Sequence, residues 1–162
     1  MTIKSYYDDT PDLLKKRYYF LYDLDGNDTK ELLLGQAWGE DIYLYAVYAI
    51  KNGIAVRQEE YWYDPQRGNP PLLYKNGIIR VEADGDTMLQ YYRFEDGELK
   101  FQIMLIDDYS PVFDSGNYKR VDEKGGFSKI ITKAEFDRLQ KEFEGDGQVI
   151  ELDWKPLAEY GR

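Results

Sequence analysis

The sequence predicts a mainly β domain of the α+β class, built as a single antiparallel β-meander sheet that is strongly curved or partly closed. Three observations predict it. Short alternating stretches rich in Tyr, Ile, Val and Phe recur along the chain, Asn-Gly and Asp-Gly turns separate them, and one segment with helical spacing follows towards the C-terminal end. Consecutive hairpins pair neighbouring strands, so we expect a meander of about seven to nine strands.

The size and composition favour one folded domain over residues 1–162. The chain has 162 residues, of which 43% are hydrophobic and 16% aromatic, and this apolar content argues against disorder. A domain of about 150 residues buries roughly 68–70% of the surface that its unfolded chain exposes, which suffices for a core without disulfides.

Two-residue turns mark the hairpins. Asn-Gly and Asp-Gly suit such turns because both central residues must adopt positive φ. The turns are Asn52-Gly53, Asn76-Gly77 and Asp96-Gly97.

Two segments depart from the β pattern and predict helices. Thr132 and Glu135 form a capping box, and apolar residues at helical spacing follow, which predicts a helix from about 133 to 144 that ends at Gly145 or Gly147. Thr10 and Pro11 have the N-cap and first-turn character of a short N-terminal helix through 12–16.

The charge and two missing residue types exclude much chemistry. The 21 Lys and Arg against 31 Asp and Glu leave a net charge of −10, and the chain has no His and no Cys. The absence of His and Cys removes imidazole bases, thiol nucleophiles and zinc–thiolate sites. The negative charge disfavours nucleic acid and favours divalent cations or a basic protein partner.

The segment 23–31 has the spacing of a calcium loop. Oxygen-bearing side chains stand at alternate positions, where a tight loop brings them to one point, and Ca²⁺ takes six to eight such oxygens whereas Mg²⁺ demands a stricter octahedron. The predicted ligands are the side chains of Asp23, Asp25, Asn27 and Glu31 and the carbonyl of Thr29. The alternative is an acidic hairpin turn without an ion, and even an occupied site could be purely structural.

This loop resembles the β-hairpin calcium loops of integrin-type and FG-GAP repeats. The likeness rests on an aromatic strand, the Asp23-Leu24-Asp25-Gly26 turn and the following Glu31-Leu32-Leu33-Leu34. Residues 18–35, and more weakly the Tyr-rich hairpins and the closing helix with Trp154-Lys155-Pro156-Leu157, are also similar to uncharacterised secreted or lipid-anchored domains of Gram-positive bacteria, a resemblance that implies no activity. It departs from the loop pattern at Asp28, where Gly is usual, although Asp can adopt the left-handed conformation.

Aromatic residues form the candidate partner-binding surface. Tyr61-Trp62-Tyr63 stands beside a Pro-rich loop, and the alternation around Tyr43, Tyr45 and Tyr91 predicts phenols on an outer sheet face. The competing interpretation places part of these rings in the core.

Catalysis has little support. Glu59-Glu60 and Asp107-Asp108 are the obvious carboxylate pairs, but adjacent strand residues face opposite ways, so a carboxylate-based glycoside hydrolase is a distant alternative. We therefore expect no enzyme.

The combined features predict a calcium-stabilised binding domain of the cell envelope or extracellular space, acting through a Tyr-rich sheet face on a protein partner. A leader peptide is then presumed to have been removed, and a cytoplasmic location stays open. No run of about 18 apolar residues occurs, which predicts no membrane-spanning segment. The alternative function is an acidic immunity or inhibitor protein that neutralises a toxin or enzyme.

Overall fold

A computed structural model describes residues 16–58, 69–83, 87–110, 112 and 116–159. In chain order the elements are β1 (Arg17–Tyr22), β2 (Glu31–Trp38), β3 (Asp41–Lys51), β4 (Ile54–Arg57), β5 (Leu72–Leu73), β6 (Ile78–Ala83), β7 (Met88–Glu95), β8 (Glu98–Asp107), β9 (Tyr118–Val121), β10 (Lys129–Ile131), α1 (Lys133–Glu144), β11 (Lys155–Pro156) and the 3₁₀ helix η1 (Leu157–Glu159). The mainly β, antiparallel character with one α-helix near the C-terminal end is confirmed. The short N-terminal helix was predicted on residues that lie outside the described ranges, apart from Lys16, which is in a turn.

The strands form two sheets, so the prediction of a single sheet is wrong. One sheet has the order β11-β1-β2-β3-β4, and the other has the order β10-β9-β8-β7-β6-β5. Pro70 and Pro71 precede β5 and lack the amide N–H that a hydrogen-bonded ladder requires.

The chain divides into two compact units that correspond to these sheets. The first unit comprises Met1–Trp62, Asp96–Glu98 and Glu151–Arg162, and the second comprises Tyr63–Glu95 and Leu99–Ile150. The sequence predicts one domain over residues 1–162, and this division leaves that statement a prediction.

Two of the three predicted turns have the expected backbone. Asn52 and Gly53 have φ of 52° and 75°, and Asp96 and Gly97 have φ of 54° and 70°. Both pairs thus satisfy the positive-φ requirement of a two-residue hairpin loop.

The third turn differs, because Asn76 does not adopt positive φ although Gly77 does, at 80°. The Gly77 amide donates to the Tyr74 carbonyl at 3.0 Å and closes a four-residue turn. The Asn76 side-chain amide donates to the Phe143 carbonyl at 2.8 Å, so this turn caps the last residues of α1.

In the first unit, residues of the sheet and of η1 form the hydrophobic core. Leu32, Leu34, Ala46 and Leu157 are buried together. Leu34 pairs with Ala46 and Gly35 with Leu44, so Tyr45 is the extra residue of a β-bulge. A Cβ at Gly35 would lie 2.7 Å from Ile42 Cγ2, which explains why glycine occupies this position.

In the second unit, α1 packs on the sheet through Phe136 and Leu139. They share a buried cluster with sheet residues Tyr74, Ile78, Leu89, Tyr91, Ile103 and Leu105.

No helix in the described ranges is long and apolar enough to cross a membrane.

The predicted N-cap of α1 is confirmed, and its removal should cost measurable stability. The Thr132 hydroxyl accepts the Glu135 amide N–H at 3.1 Å. Thr132→Ala is expected to lower the free energy of unfolding by about 1 kcal/mol, because that amide loses its partner at the helix start. Urea denaturation measures the change. Ser128→Ala, which removes an exposed hydroxyl outside the helix, serves as the control. Equal stabilities of the two variants would contradict the role of the cap.

Candidate metal centre

The connection between β1 and β2 is built around the side chain of Asp23. One of its oxygens accepts the amides of Gly26 at 2.8 Å and Asn27 at 3.1 Å, and the other accepts the amide of Asp28 at 2.9 Å. Gly26 and Asp28 have φ of 73° and 65°, so both adopt the left-handed conformation that this tight path requires. Asp28 therefore adopts the backbone for which Gly is usual in such loops.

The loop is held to the sheet at two points. Leu24 is buried, with 5% of its surface exposed, and its amide donates to Glu31 Oε2 at 2.9 Å. Glu31 is the first residue of β2 and is 2% exposed. Asp25 therefore follows directly after a residue that is anchored to the sheet.

This path brings three carboxylates together. One oxygen from each of Asp23, Asp25 and Glu31 lies within 4.8 Å of the others. Within the described ranges, none of the three forms an ion pair with Lys or Arg. The role of all five predicted ligands, Asp23, Asp25, Asn27, Glu31 and the Thr29 carbonyl, stays a prediction, and the structure brings the three carboxylates together. The Asn27 side-chain oxygen accepts the Thr29 amide at 2.7 Å, which shapes the same loop.

Burial and neighbouring carboxylates make the ionised form of Glu31 unfavourable. Burial raises the pKa of Glu31 above its usual value, the Leu24 amide opposes the rise, and the neighbouring Asp25 and Asp23 add to it. A buried carboxylate facing two others is costly unless a cation compensates it. A dication at the point where the three oxygens meet would supply this compensation.

The predicted partner-binding tyrosines do not share one exposed face. Tyr91 is 0% exposed and its hydroxyl donates to Glu144 at 2.8 Å, so the prediction that it lies on an outer face is wrong. Tyr92 on the same strand is also buried, at 4% exposure. Both faces of β7 are therefore covered at this point, and alternation alone did not indicate it. Tyr61, Trp62 and Tyr63 lie outside the described ranges.

Tyr43 and Tyr45 on β3 are half-buried. The Tyr43 hydroxyl donates to Asp41 at 3.1 Å. The Arg17 and Arg57 guanidinium carbons lie 4.4 Å and 5.1 Å from the centre of the Tyr45 ring, at cation–π distance. Contacts within the protein thus occupy Tyr45.

The surroundings of Asp108 oppose a role as general acid. The Lys119 ammonium lowers the pKa of Asp108 by hydrogen bonding and by charge, which is the opposite of what a general acid needs. Glu59 and Glu60 lie outside the described ranges.

A second polar cluster has no local signal in the sequence. The Arg80 guanidinium donates to Glu82 and, at 2.8 Å, to Glu144, which also accepts the Tyr91 hydroxyl. Arg80 and Glu144 are 64 positions apart, so only the packing of α1 on β6 and β7 brings them together.

Comparison of the chain with protein-family models, with curated proteins and with solved structures finds no match.

Proposed function

We propose that the loop 23–31 binds Ca²⁺ and that the protein is a non-catalytic, calcium-stabilised binding domain. The observation that carries the proposal is the buried Glu31, which lies with Asp23 and Asp25 in a triad that has no Lys or Arg ion pair in the described ranges. Oxygen ligands on a loop rather than a rigid octahedral cage favour Ca²⁺ over Mg²⁺.

The ion would act on the first hairpin. Asp23 follows β1 and Glu31 begins β2, so one cation would join the two strand ends and relieve the repulsion among their carboxylates. Because only the folded loop assembles these ligands, the binding free energy adds to the stability of the fold.

Calcium titration tests the site directly. Titration calorimetry is expected to detect Ca²⁺ binding, and Tm is expected to rise with Ca²⁺, because free Ca²⁺ at 100 times Kd adds about 2.7 kcal/mol of stability. Asp25→Asn should weaken binding strongly, since it removes one ligand charge. Asp28→Asn makes the same charge change in the same loop at a residue outside the proposed ligand set, and it should keep the Ca²⁺ response.

Two outcomes would contradict the proposal. One is a wild-type protein whose heat and Tm do not respond to Ca²⁺. The other is equal loss of affinity in the Asp25 and Asp28 variants, which would indicate a diffuse acidic surface rather than a site. A parallel Mg²⁺ titration is expected to give the weaker response.

For the partner we propose a protein, bound in the cell envelope or extracellular space through the aromatic side of β3 at Tyr43. Tyr provides contact area at low entropic cost. The alternative proposal, an acidic immunity or inhibitor protein, is favoured by the net charge of −10, which would steer a basic toxin or enzyme towards it.

A further inference from the structure

The chain contains two Asn-Gly sequences, at Asn52 and at Asn76, and their surroundings differ. Asn is thermally labile, and glycine after it leaves the following backbone nitrogen without a side chain to obstruct attack on the Asn amide. Both asparagines are exposed to solvent. The two sites differ in their hydrogen bonds and in their backbone conformation, because Asn52 has positive φ and Asn76 does not.

Hydrogen bonds hold both the Asn76 side chain and the Gly77 nitrogen that would attack it. Its amide nitrogen donates to Phe143 O at 2.8 Å, and its side-chain oxygen accepts the Ile78 amide at 3.2 Å. The Gly77 nitrogen, which would attack the Asn76 side-chain amide, donates to Tyr74 O at 3.0 Å. Attack at Asn76 would therefore break three hydrogen bonds and release the cap of α1.

Asn52 lacks these restraints. Within the described ranges, neither its side-chain amide nor the Gly53 amide makes a hydrogen bond. The turn joins β3 to β4, an edge strand of four residues whose Ile54, Ala55 and Val56 are exposed. Among the described residues, attack at Asn52 therefore requires the loss of no hydrogen bond of its side chain or of the Gly53 amide.

We propose that Asn52 is a site of spontaneous deamidation and that Asn76 is protected from it. The Gly53 nitrogen attacks Asn52 Cγ, a C–N bond forms, and the side-chain nitrogen leaves as ammonia. Water then opens the succinimide at either carbonyl and leaves aspartate or isoaspartate, with no change of oxidation state.

Modification would change both charge and backbone at this hairpin. Either product adds one negative charge beside Lys51, and isoaspartate also adds a methylene to the main chain. A longer chain does not fit the two-residue loop that sets the pairing of Lys51 with Ile54. The β3–β4 hairpin then loses its register and β4 loosens from the sheet edge.

The test is prolonged incubation of the full chain at mildly alkaline pH in ¹⁸O-water, followed by peptide mass mapping. The expected result is conversion with ¹⁸O uptake in the peptide containing Asn52, while the peptide containing Asn76 keeps its amide. The same incubation in concentrated urea should convert both. Asn52→Gln, which disfavours the five-membered ring, should remove the folded-state signal.

Equal conversion of both asparagines in the folded protein would overturn the proposal, as would an intact Asn52 when urea converts both. Neither result depends on Ca²⁺, so the failure of this inference is separate from failure of the proposed metal site.

Discussion

Replacing Arg80 by methionine is expected to lower the free energy of unfolding by about 3–5 kcal/mol, the range for removing one partner of a buried ion pair. The side chains of Arg80, Glu82 and Glu144 are 15%, 7% and 16% exposed. Without the guanidinium, the carboxylates of Glu82 and Glu144 stay poorly solvated and lose their cationic partner. Methionine keeps much of the volume, so the loss reports on charge and hydrogen bonds rather than on a cavity.

Arg138→Met is the matched control, because it makes the same substitution on α1. Arg138 pairs with Glu142 at 2.8 Å, but both side chains are about 60% exposed. Such a pair contributes only about 0.3–0.5 kcal/mol. Urea denaturation of the two variants compares them directly. An Arg80 variant as stable as the Arg138 variant would refute the structural role of the cluster.

Glu31→Gln is expected to have opposite effects on the ion-free and the calcium-loaded protein. The amide can still accept the Leu24 N–H, but it removes one charge from the triad. The ion-free protein should become more stable, because a buried carboxylate beside Asp23 and Asp25 no longer has to stay ionised. The Ca²⁺-induced gain, about 2.7 kcal/mol at 100 times Kd, should be lost.

The pH dependence of the ion-free protein gives a second measurement. The pKa of Glu31 is raised on folding, so the folded state holds its proton to higher pH than the unfolded state does. Its contribution to stability is therefore present at low pH and is lost as the pH rises through the folded-state pKa. Urea titrations at several pH values should show this component in the wild type, and Glu31→Gln should remove it. A variant that is less stable without Ca²⁺ and equally stabilised by it would refute both expectations.

Local chemistry made several features predictable. The Thr132 cap, the apolar spacing of α1 and two of the three hairpin turns depend on residues that are close in sequence. The acidic triad belongs to the same category, because Asp23, Asp25 and Glu31 lie within one short connection between paired strands. Residue type and spacing were enough to place them together.

Other features depend on packing between distant segments. The position of Tyr91 was mispredicted because alternation assigns faces only when one side of the sheet meets solvent, and neighbouring Tyr91 and Tyr92 are both buried. The split into two sheets likewise depends on where hydrogen bonding ends along the whole chain, which turn signals do not reveal. The ion pair between Arg80 and Glu144 could not be predicted from local sequence, because it forms only when α1 lies on the second sheet.

The sequence alone determined the composition, the net charge, the hairpin periodicity, the capped helix and the spacing of the acidic loop. The last three features arise from residues that are neighbours along the chain. The tertiary structure decided which carboxylates are buried, which tyrosines remain accessible and which of two identical Asn-Gly sequences is restrained. Those properties depend on the solvent and hydrogen-bond partners that distant segments provide. They exist only once the chain has folded.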